Sequence, residues 1–376
     1  MDWLPKEEEI LIWVLLTLFF ATAFFQFFWV VYFYSRLIFH KDRFNQNLPP
    51  VSVIIAARNE ENNLYSNLPF ILTQSYSNDF EVIVVNHQSV DDSKHILKAL
   101  AREHKNLKIV NLERNQHLKN GKKLPLTIGI KGAKYEHLIF TDADCKPESK
   151  FWLQKMTGRF NAKKNLVVGY GPYVKKSGLL NLIIRLDTVF IAINYLSFAL
   201  GRVPYMGVGR NMGYTKTLFH ETSGFKSHYS IQSGDDDLFV QEAAKKNNYT
   251  VCLDEDTFVY SEPEETFADW IKQKGRHFTT TGHYKVFKKL LLGIYPLTLL
   301  FMYLIFFILL FYGWIYWTSL IVLLGIILIK WVVFGFALSR LREKSFIYLF
   351  PFWDLFYAIL APILFYSTDK TKVKWK

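Results

Sequence analysis

An apolar stretch near the N-terminus constrains the fold of this chain more than any other feature. Residues 10–34 carry almost no charge and are rich in phenylalanine and tryptophan. A helix of this length crosses a hydrocarbon core of about 30 Å. Glu7–Glu9 precede the stretch, and the cations of residues 36–43 follow it. Because basic residues favour the cytoplasmic side, residues 1–44 are predicted to form a transmembrane anchor that leads into the cytoplasm.

A second apolar block occupies the end of the sequence. Its predicted spans are 290–314, 315–338 and 346–366. The basic loop 340–344 is predicted to be cytoplasmic. The last segment carries Pro351, Asp354 and Pro362, so it is either a full crossing or a re-entrant segment. The sequence therefore predicts a C-terminal membrane domain at 289–376 with two to three spans.

The region between the membrane segments, residues 45–288, is polar enough to be soluble and long enough to bury a core of its own. The formal net charge of +12 would suit a nucleic-acid partner. However, the sequence has no basic helix, zinc-ligand spacing or aromatic RNA-binding motif, so nucleic acid is excluded. Attraction to anionic lipid and to a phosphate-bearing substrate explains the basic excess more simply. Cys145 and Cys252 form no disulfide framework, which fits a reducing cytosol.

Strands and helices alternate through the first half of this region. Strands are predicted at 51–57, 81–85, 107–111 and 137–141, with helices at 64–74, 94–104 and up to about 131. This βαβ order predicts an α/β domain with a mostly parallel, Rossmann-like sheet that helices cover on both faces. Further along, the apolar segment 178–200 is interrupted by Arg185 and Asp187. An interfacial helix is favoured there over a buried transmembrane helix.

Two carboxylates follow the strand at 137–141. Asp142 and Asp144 are one residue apart, so their side chains share a face at the C-terminal edge of the sheet. Open α/β sheets bind ligands at that edge. Two hard oxygen ligands suit a divalent cation, which in turn suits a diphosphate. A polar strand-to-loop turn is the plainer interpretation.

Two further polar clusters and a glycine-rich segment lie downstream. Asp235, Asp236 and Asp237 precede an apolar helix, where acids also serve as ordinary helix caps. Residues 270–278 mix amide, basic and aromatic groups, as an amphipathic juxtamembrane helix would. The glycine-rich segment 207–213 matches no simple phosphate-loop template and indicates close backbone approach or tight turns.

In this order the motifs resemble those of the family 2 inverting glycosyltransferases, which are membrane-bound enzymes with a GT-A nucleotide-sugar domain. The resemblance covers residues 51–278 and the arrangement of apolar segments around them. The matching residues are Val53-Ile54-Ile55, Asn59-Glu60, Ser89 and Asp91, Gly121-Lys122, Asp142 and Asp144, Asp235 and Asp236, and Gln273 and Arg276. Each motif alone is a weak signal, but their common order makes the match specific.

The resemblance implies an inverting displacement at an anomeric carbon. Asp144, assisted by Asp142, would hold Mg²⁺ or Mn²⁺ on the diphosphate of a nucleotide-sugar donor, with a UDP-sugar as the first choice. Asp236 would be the general base that deprotonates the acceptor hydroxyl. Asp235 stands where relatives often carry glutamate, and Asp237 is kept as an alternative base.

The resemblance also implies a set of donor-binding residues. Glu60 and Asp91 would line the nucleoside pocket, and Lys122 would meet the base or the phosphates. Relatives carry a base-reading aspartate at the turn after the second strand. Asn86 and His87 stand there instead, and a neutral histidine would still form a hydrogen bond with a base edge.

A third implied group lies close to the C-terminal membrane block. Gln273 and Arg276 match the family's QxxRW motif, which helps to bind the diphosphate and the acceptor. His277 replaces the tryptophan of that motif. Because the tryptophan is associated with processive polysaccharide synthases, the histidine favours transfer of a single sugar.

The leading hypothesis is a multi-pass protein of the cell inner (plasma) membrane. Its cytoplasmic domain would transfer a sugar from a nucleotide-sugar donor to a lipid or lipid-linked acceptor, the lipid being inferred from the membrane segments alone. A processive membrane polysaccharide synthase is the alternative within the same class. A non-catalytic relative that binds nucleotide or lipid in an envelope complex is the alternative of another class. His87 supports it, whereas joint retention of Asp142, Asp144, Asp236 and Arg276 opposes it.

Overall fold

The computed structural model describes residues 7–113, 121–312 and 315–367, which form two compact units. We call residues 7–40 with 285–367 the helical unit and residues 41–284 the sheet unit. The helices are α1 (Glu7–Trp29), α2 (Ser35–Phe39), α3 (Glu61–Leu72), α4 (Ser93–Glu103), α5 (Lys123–Gly132), α6 (Trp152–Thr157), α7 (Leu179–Leu200), α8 (Lys216–Glu221), α9 (Asp237–Ala243), α10 (Phe267–Thr281), α11 (Val286–Leu309), α12 (Ile315–Arg340) and α13 (Phe350–Ser367). The strands are β1 (Val51–Ala57), β2 (Phe80–His87), β3 (Leu107–Leu112), β4 (His137–Asp142), β5 (Cys145–Pro147), β6 (Leu166–Val168), β7 (Met212–Thr215), β8 (Tyr249–Val251) and β9 (Val259–Ser261).

A seven-stranded sheet with the order β3-β2-β1-β4-β7-β6-β8 forms the centre of the sheet unit. The strands from β3 to β4 are all parallel, which confirms the predicted mostly parallel α/β fold. β7 is antiparallel to both of its neighbours, β4 and β6. In the register of the sheet, Ala56 of β1 lies beside Val85 of β2 and Asp142 of β4. The C-terminal ends of these strands therefore meet at one edge.

Alternate side chains of β1 contribute to two hydrophobic cores, one on each face of the sheet. Val53 and Ile55 belong to the core that also holds side chains of α3, α4 and α6. Ile54 and Ala56 belong to the core that holds side chains of α5, α8 and α9. All residues of β1 are buried, as expected for a β-branched strand in a sheet covered on both faces.

Four helices of the described chain are long and apolar enough to cross a membrane: Glu9–Phe39, Leu179–Leu200, Val286–Leu309 and Tyr316–Arg340. The first and the last two belong to the helical unit and overlap the apolar stretch 10–34 and the predicted spans 290–314 and 315–338. The end of the predicted span 290–314 falls outside the described residues. α13 is one helix of 18 residues that contains Pro362, so it is about 27 Å long and close to the thickness of a hydrocarbon core. Its apolar part, Phe352–Tyr366, is shorter than the four helices above, so a full crossing and a re-entrant segment both stay predictions. Residues 368–376 lie outside the described part of the chain.

A buried ion pair lies inside the helical unit. The ammonium nitrogen of Lys330 in α12 is 2.9 Å from Oδ2 of Asp354 in α13, and the two side chains are 5% and 2% exposed. The Tyr295 hydroxyl of α11 donates to the same oxygen at 3.0 Å. Charges in a membrane segment are tolerated when they are paired inside the bundle. Asp354, which was one reason to consider a re-entrant segment, therefore joins α11, α12 and α13.

α7 corresponds to the segment for which an interfacial position is predicted. Most of its side chains are buried within the sheet unit, including Arg185 and Asp187. Oδ2 of Asp187 lies 2.5 Å from the ammonium nitrogen of Lys274 in α10. Much of the apolar character of α7 is thus explained by burial against protein. Its position at a membrane interface stays a prediction, as do the domain boundaries at 44 and 288.

Candidate active site

A cavity of about 270 Å³ lies at the C-terminal edge of the central strands, where open α/β sheets bind their ligands. Its wall is formed by the ends of β1 and β4, the segments before α5 and α9, and one face of α10. The lining residues that the sequence had indicated are Glu60, Lys122, Asp142, Asp144, Asp235, Asp236, Gln273, Arg276 and His277. The fold therefore brings residues from distant motifs into one site.

Asp142 and Asp144 form a compact group of hard oxygen ligands. Asp142 ends β4, and one ligand atom from each carboxylate lies within 4.8 Å of the other and of the Cys145 sulfur. Burial, with the nearby charges of the two aspartates, raises the pKa of the Cys145 thiol, which therefore stays protonated. The donor set is thus a pair of carboxylates, which fits Mg²⁺ or Mn²⁺ better than a soft metal.

Lys122 places a permanent cation beside these carboxylates. Its ammonium forms an ion pair with Asp142 and lies 3.8 Å from Oδ2 of Asp235. Burial alone would lower the pKa of Lys122, but the charges of the two aspartates outweigh burial and raise it. A charged donor in this position suits a phosphate oxygen.

Asp236 lies in the cavity wall at the start of α9. Its Oδ1 accepts a hydrogen bond from the Asp237 N–H (2.8 Å), and its Oδ2 accepts one from the Gly209 N–H (3.0 Å). Burial, reinforced by the negative charges of Asp235 and Asp237, raises the pKa of Asp236 to about 7. A carboxylate that gains and loses its proton near neutral pH has the property that a general base requires.

Asp237 has a different set of partners from its neighbour. Its buried carboxylate accepts hydrogen bonds from the Tyr284 hydroxyl (2.8 Å) and from the Thr280 hydroxyl, both near the C-terminal end of α10. It is not among the described residues that line the cavity. The carboxylate of Asp237 thus ties α9 to α10, whereas Asp236 lines the cavity.

α10 presents three side chains to the cavity. Gln273, Arg276 and His277 lie three and four residues apart, so they share one face of the helix. Gln273 accepts a hydrogen bond from the Tyr173 hydroxyl (3.2 Å) and donates one to Glu264 (2.9 Å). Within the described part of the chain, the Arg276 guanidinium has no hydrogen-bond or ion-pair partner. His277 is exposed on this face of α10, and the surrounding protein and the cation of Arg276 lower the pKa of its imidazole.

The predicted nucleoside-binding residues separate into two groups. Glu60 lines the cavity, whereas Asn86, His87 and Asp91 are not among the described residues that do so. His87 is fully buried at the end of β2, where burial lowers the pKa of its imidazole. Asp91 accepts the N–H of Glu61 at 3.0 Å, at the start of α3. The roles of these three residues in donor binding stay predictions.

Arg210 is a cavity residue that the motifs did not indicate. Its Nε donates to the Gly171 carbonyl oxygen at 3.0 Å, and its guanidinium lies 4.6 Å from the centre of the Tyr173 ring. A Cβ added to Gly171 would lie 2.4 Å from this Nε, so only glycine leaves room for the arginine. The glycine-rich segment 207–213, which contains Arg210, was the sequence feature that could have indicated this residue. Its close backbone approach is explained in part by this contact and by the bond from Gly209 to Asp236.

Two family models match the sequence. Residues 52–221 match the model of glycosyl transferase family 2. Residues 172–361 match the model of glycosyl transferase family group 2, a segment that makes up half of the chain. Together the two matches include every residue of the cavity wall.

Three curated relatives match shorter segments. Glycosyltransferase AglE of Haloferax volcanii is 33% identical over 109 residues, which are 29% of this chain and 34% of that protein. A poly-beta-1,6-N-acetyl-D-glucosamine synthase of Staphylococcus epidermidis is 32% identical over 111 residues, 30% of this chain and 25% of the synthase. A beta-monoglucosyldiacylglycerol synthase of Nostoc sp. is 31% identical over 127 residues, 32% of this chain and 25% of that protein. The chain thus spans about a third or less of the length of these relatives.

A solved structure shares the fold over almost the whole chain. The mannosyltransferase PcManGT of Pyrobaculum calidifontis, in complex with GDP-Man and Mn²⁺, aligns with a TM-score of 0.55 at 16% identity, covering 93% of this chain and 99% of that one. This likeness confirms the predicted fold class, a GT-A domain with apolar helices. With the family matches and the cavity at the sheet edge, it leads to one conclusion: the chain belongs to glycosyltransferase family 2.

Proposed function

We propose that this enzyme is an inverting, metal-assisted glycosyltransferase that moves one sugar from a nucleotide-sugar donor to a lipid or lipid-linked acceptor. The observation that carries the proposal is the composition of the cavity at the sheet edge. The carboxylates of Asp142 and Asp144, the cations of Lys122 and Arg276, and the titratable Asp236 line the same wall. Together these groups meet three requirements of the reaction, which are metal binding, phosphate binding and removal of the acceptor proton.

We assign the donor diphosphate to the side of the cavity that Asp142 and Asp144 line. Asp142 and Asp144 would hold Mg²⁺ or Mn²⁺, which when bound offsets the negative charge that develops on the departing nucleoside diphosphate. Lys122 and Arg276 supply N–H donors to the phosphate oxygens. Arg276 suits this role because its guanidinium has no other hydrogen-bond or ion-pair partner in the described part of the chain. A UDP-sugar is the first choice of donor, and GDP-mannose, which is bound to PcManGT, is the second.

Asp236 is assigned the role of general base. Its carboxylate takes the proton of the acceptor hydroxyl while that oxygen attacks the anomeric carbon, and the bond from this carbon to the diphosphate breaks on the opposite side. One displacement of this kind inverts the anomeric configuration. A pKa of about 7 leaves a substantial fraction of Asp236 deprotonated at neutral pH and still basic enough to accept a proton.

The membrane helices of the chain support a lipid acceptor on the cytoplasmic side of the inner (plasma) membrane. Basic residues at 36–43 and 340–344 flank the spans on the side assigned to the cytoplasm. The Nostoc relative is named as a synthase of a glycosylated diacylglycerol. The Staphylococcus relative is named as a polysaccharide synthase, which keeps processive synthesis as the alternative. His277, in place of the tryptophan of processive relatives, favours transfer of one sugar.

The test is release of nucleoside diphosphate by the detergent-purified full chain. UDP- and GDP-sugars are offered in turn with Mn²⁺, Mg²⁺ or EDTA, and a membrane lipid extract supplies the acceptor. We expect release from one donor that EDTA abolishes. If no donor gives nucleoside diphosphate release in the presence of the extract, the proposal is overturned.

A further inference from the structure

Lys123 is a buried cation that the proposed mechanism does not use. It is the first residue of α5 and is 3% exposed. Its Nζ donates hydrogen bonds to the carbonyl oxygens of His228 (2.6 Å), Ile231 (2.9 Å) and Ser233 (2.7 Å). An ammonium group has three N–H donors, so all of them are used by a single loop. We call residues 228–233 the base loop, because the chain continues from them to Asp236.

Burial lowers the pKa of Lys123 to about 8, so the charged ammonium is its main form at neutral pH. The carboxylates of Asp235, Asp236 and Asp237 after the base loop, and that of Glu242 in α9, all favour the charged form. His228 also faces this group, and burial lowers the pKa of its imidazole. A buried ammonium is unfavourable unless its donors are satisfied, so its contacts with the loop are the feature that compensates for its burial.

The base loop is connected to Asp236 by a short and constrained segment. Gly234 follows Ser233 with a φ of +97°, and a Cβ added there would lie 2.7 Å from Cδ1 of Leu238. Asp235 and Asp236 come next and enter the cavity wall. Only Gly234 and Asp235 separate Ser233 from Asp236 in the sequence, and the contact at Gly234 leaves no room there for a larger residue.

We propose that Lys123 is a positioning residue for sugar transfer, whose three hydrogen bonds hold the base loop and thereby place Asp236 in the cavity. Its neighbour Lys122 contacts Asp142 and Asp235. Two consecutive lysines at the start of α5 thus contact both parts of the site: Lys122 contacts the carboxylates, and Lys123 contacts the base loop. The inference rests on the proposed function in so far as Asp236 is the base.

A graded series of side chains tests this role. Lys123→Gln keeps two N–H donors and Lys123→Met keeps none, while both retain an unbranched stem. Lys131→Met, in the exposed last turn of the same helix, is the matched control. In the detergent-purified full chain we expect amide hydrogen exchange at residues 228–233 to rise from wild type to Gln to Met, by about tenfold or more for Met, and to stay unchanged in the control.

Kinetics supply a readout that a purely structural role would not change. We expect kcat for nucleoside diphosphate release to fall by about 10- to 100-fold in the Met variant, because small displacements of a catalytic group have effects of that size. The donor KM should change little, since Lys123 is not among the described residues that line the cavity. Burial lowers the pKa of Lys123 to about 8 despite the nearby carboxylates, so the side chain loses a proton, and with it one N–H donor, above that pH. The kcat of the wild type should therefore fall above pH 8, whereas the kcat of the Gln variant should show no such fall.

The outcomes separate the two proposals. Unchanged exchange at 228–233 in both variants would overturn the positioning role, and so would faster exchange with unchanged kcat. If the Met variant does not fold, the Gln variant decides by the same criteria. If wild type releases no nucleoside diphosphate from any donor, the proposed function fails. The exchange experiment then still decides whether Lys123 holds the loop, and unchanged exchange rejects it.

Discussion

Replacing Asp236 by asparagine should make the enzyme nearly inactive and, at alkaline pH, more stable. The folded state raises the pKa of this carboxyl group from 3.8 to about 7, first through burial and then through the charges of Asp235 and Asp237. A raised pKa contributes stability that is complete below pH 3.8 and is lost as the pH rises through 7. Above pH 7 the wild type therefore carries a carboxylate that folding disfavours, whereas asparagine carries none.

The size of this effect follows from the pKa and from the hydrogen bonds. A rise of about three pKa units corresponds to at most about 4 kcal/mol. Because Asp236 faces an open cavity, where solvent screens its charge, we expect roughly half of that. An amide accepts through one atom only, so the variant loses one of the bonds from Gly209 and Asp237, at about 1 kcal/mol. This loss is the same at both pH values, so the stability of the variant relative to wild type should rise by about 1–2 kcal/mol between pH 4.5 and pH 8. After the lost hydrogen bond is subtracted, the variant should be more stable than wild type by about 1 kcal/mol at pH 8.

Two assays test these values. Thermal unfolding at pH 4.5 and 8 measures the stability difference, with Asp79→Asn as the control at an exposed aspartate. Nucleoside diphosphate release should show a wild-type kcat that rises through a pH of about 7 and a variant kcat lower by about 10²- to 10⁴-fold. Retention of more than a tenth of the activity, or a variant that loses stability between pH 4.5 and 8 relative to wild type, would refute the reasoning.

The remaining predictions concern three other acids. Asp142→Asn should raise the Mn²⁺ concentration for half-maximal nucleoside diphosphate release by about tenfold or more, and an unchanged requirement would remove Asp142 from the metal site. Asp187→Asn and Lys274→Met should each destabilise the protein by about 3 kcal/mol in thermal unfolding, because each removes one charge of a buried ion pair. The double variant should recover part of this loss, and additive losses would contradict the pairing. In the helical unit, Asp354→Asn should lower the unfolding temperature in detergent, and adding Lys330→Met should restore part of it; no recovery would argue against a stabilising pair.

The parallel half of the sheet could be predicted from the sequence because its strands are local apolar runs. β1 spans Val51–Ala57, as predicted, and β2 to β4 differ from the predictions by one or two residues at their ends. The short strands β5, β7, β8 and β9 were not predicted. They have three or four residues each, and their positions depend on pairing with strands that are distant in sequence, such as β7 between β4 and β6. No local pattern carries that information.

The site shows the same division between local and long-range information. Asp142, Asp144 and Asp236 lie in short motifs and could be selected from the sequence. Arg210 could not, because its place in the cavity depends on a glycine at position 171 that gives it room. Lys123 looks like a surface cation next to a motif, and only its burial shows otherwise.

The central claim is that this cavity transfers a single sugar to a lipid, and product analysis tests it most directly. The purified full chain is incubated with its labelled donor, a divalent cation and membrane lipid extract, beside the Asp236→Asn variant. We predict one labelled lipid species that carries one sugar of inverted anomeric configuration, absent from the variant and from samples with EDTA. A ladder of longer products, a retained configuration, or label that never enters the lipid fraction would contradict the account.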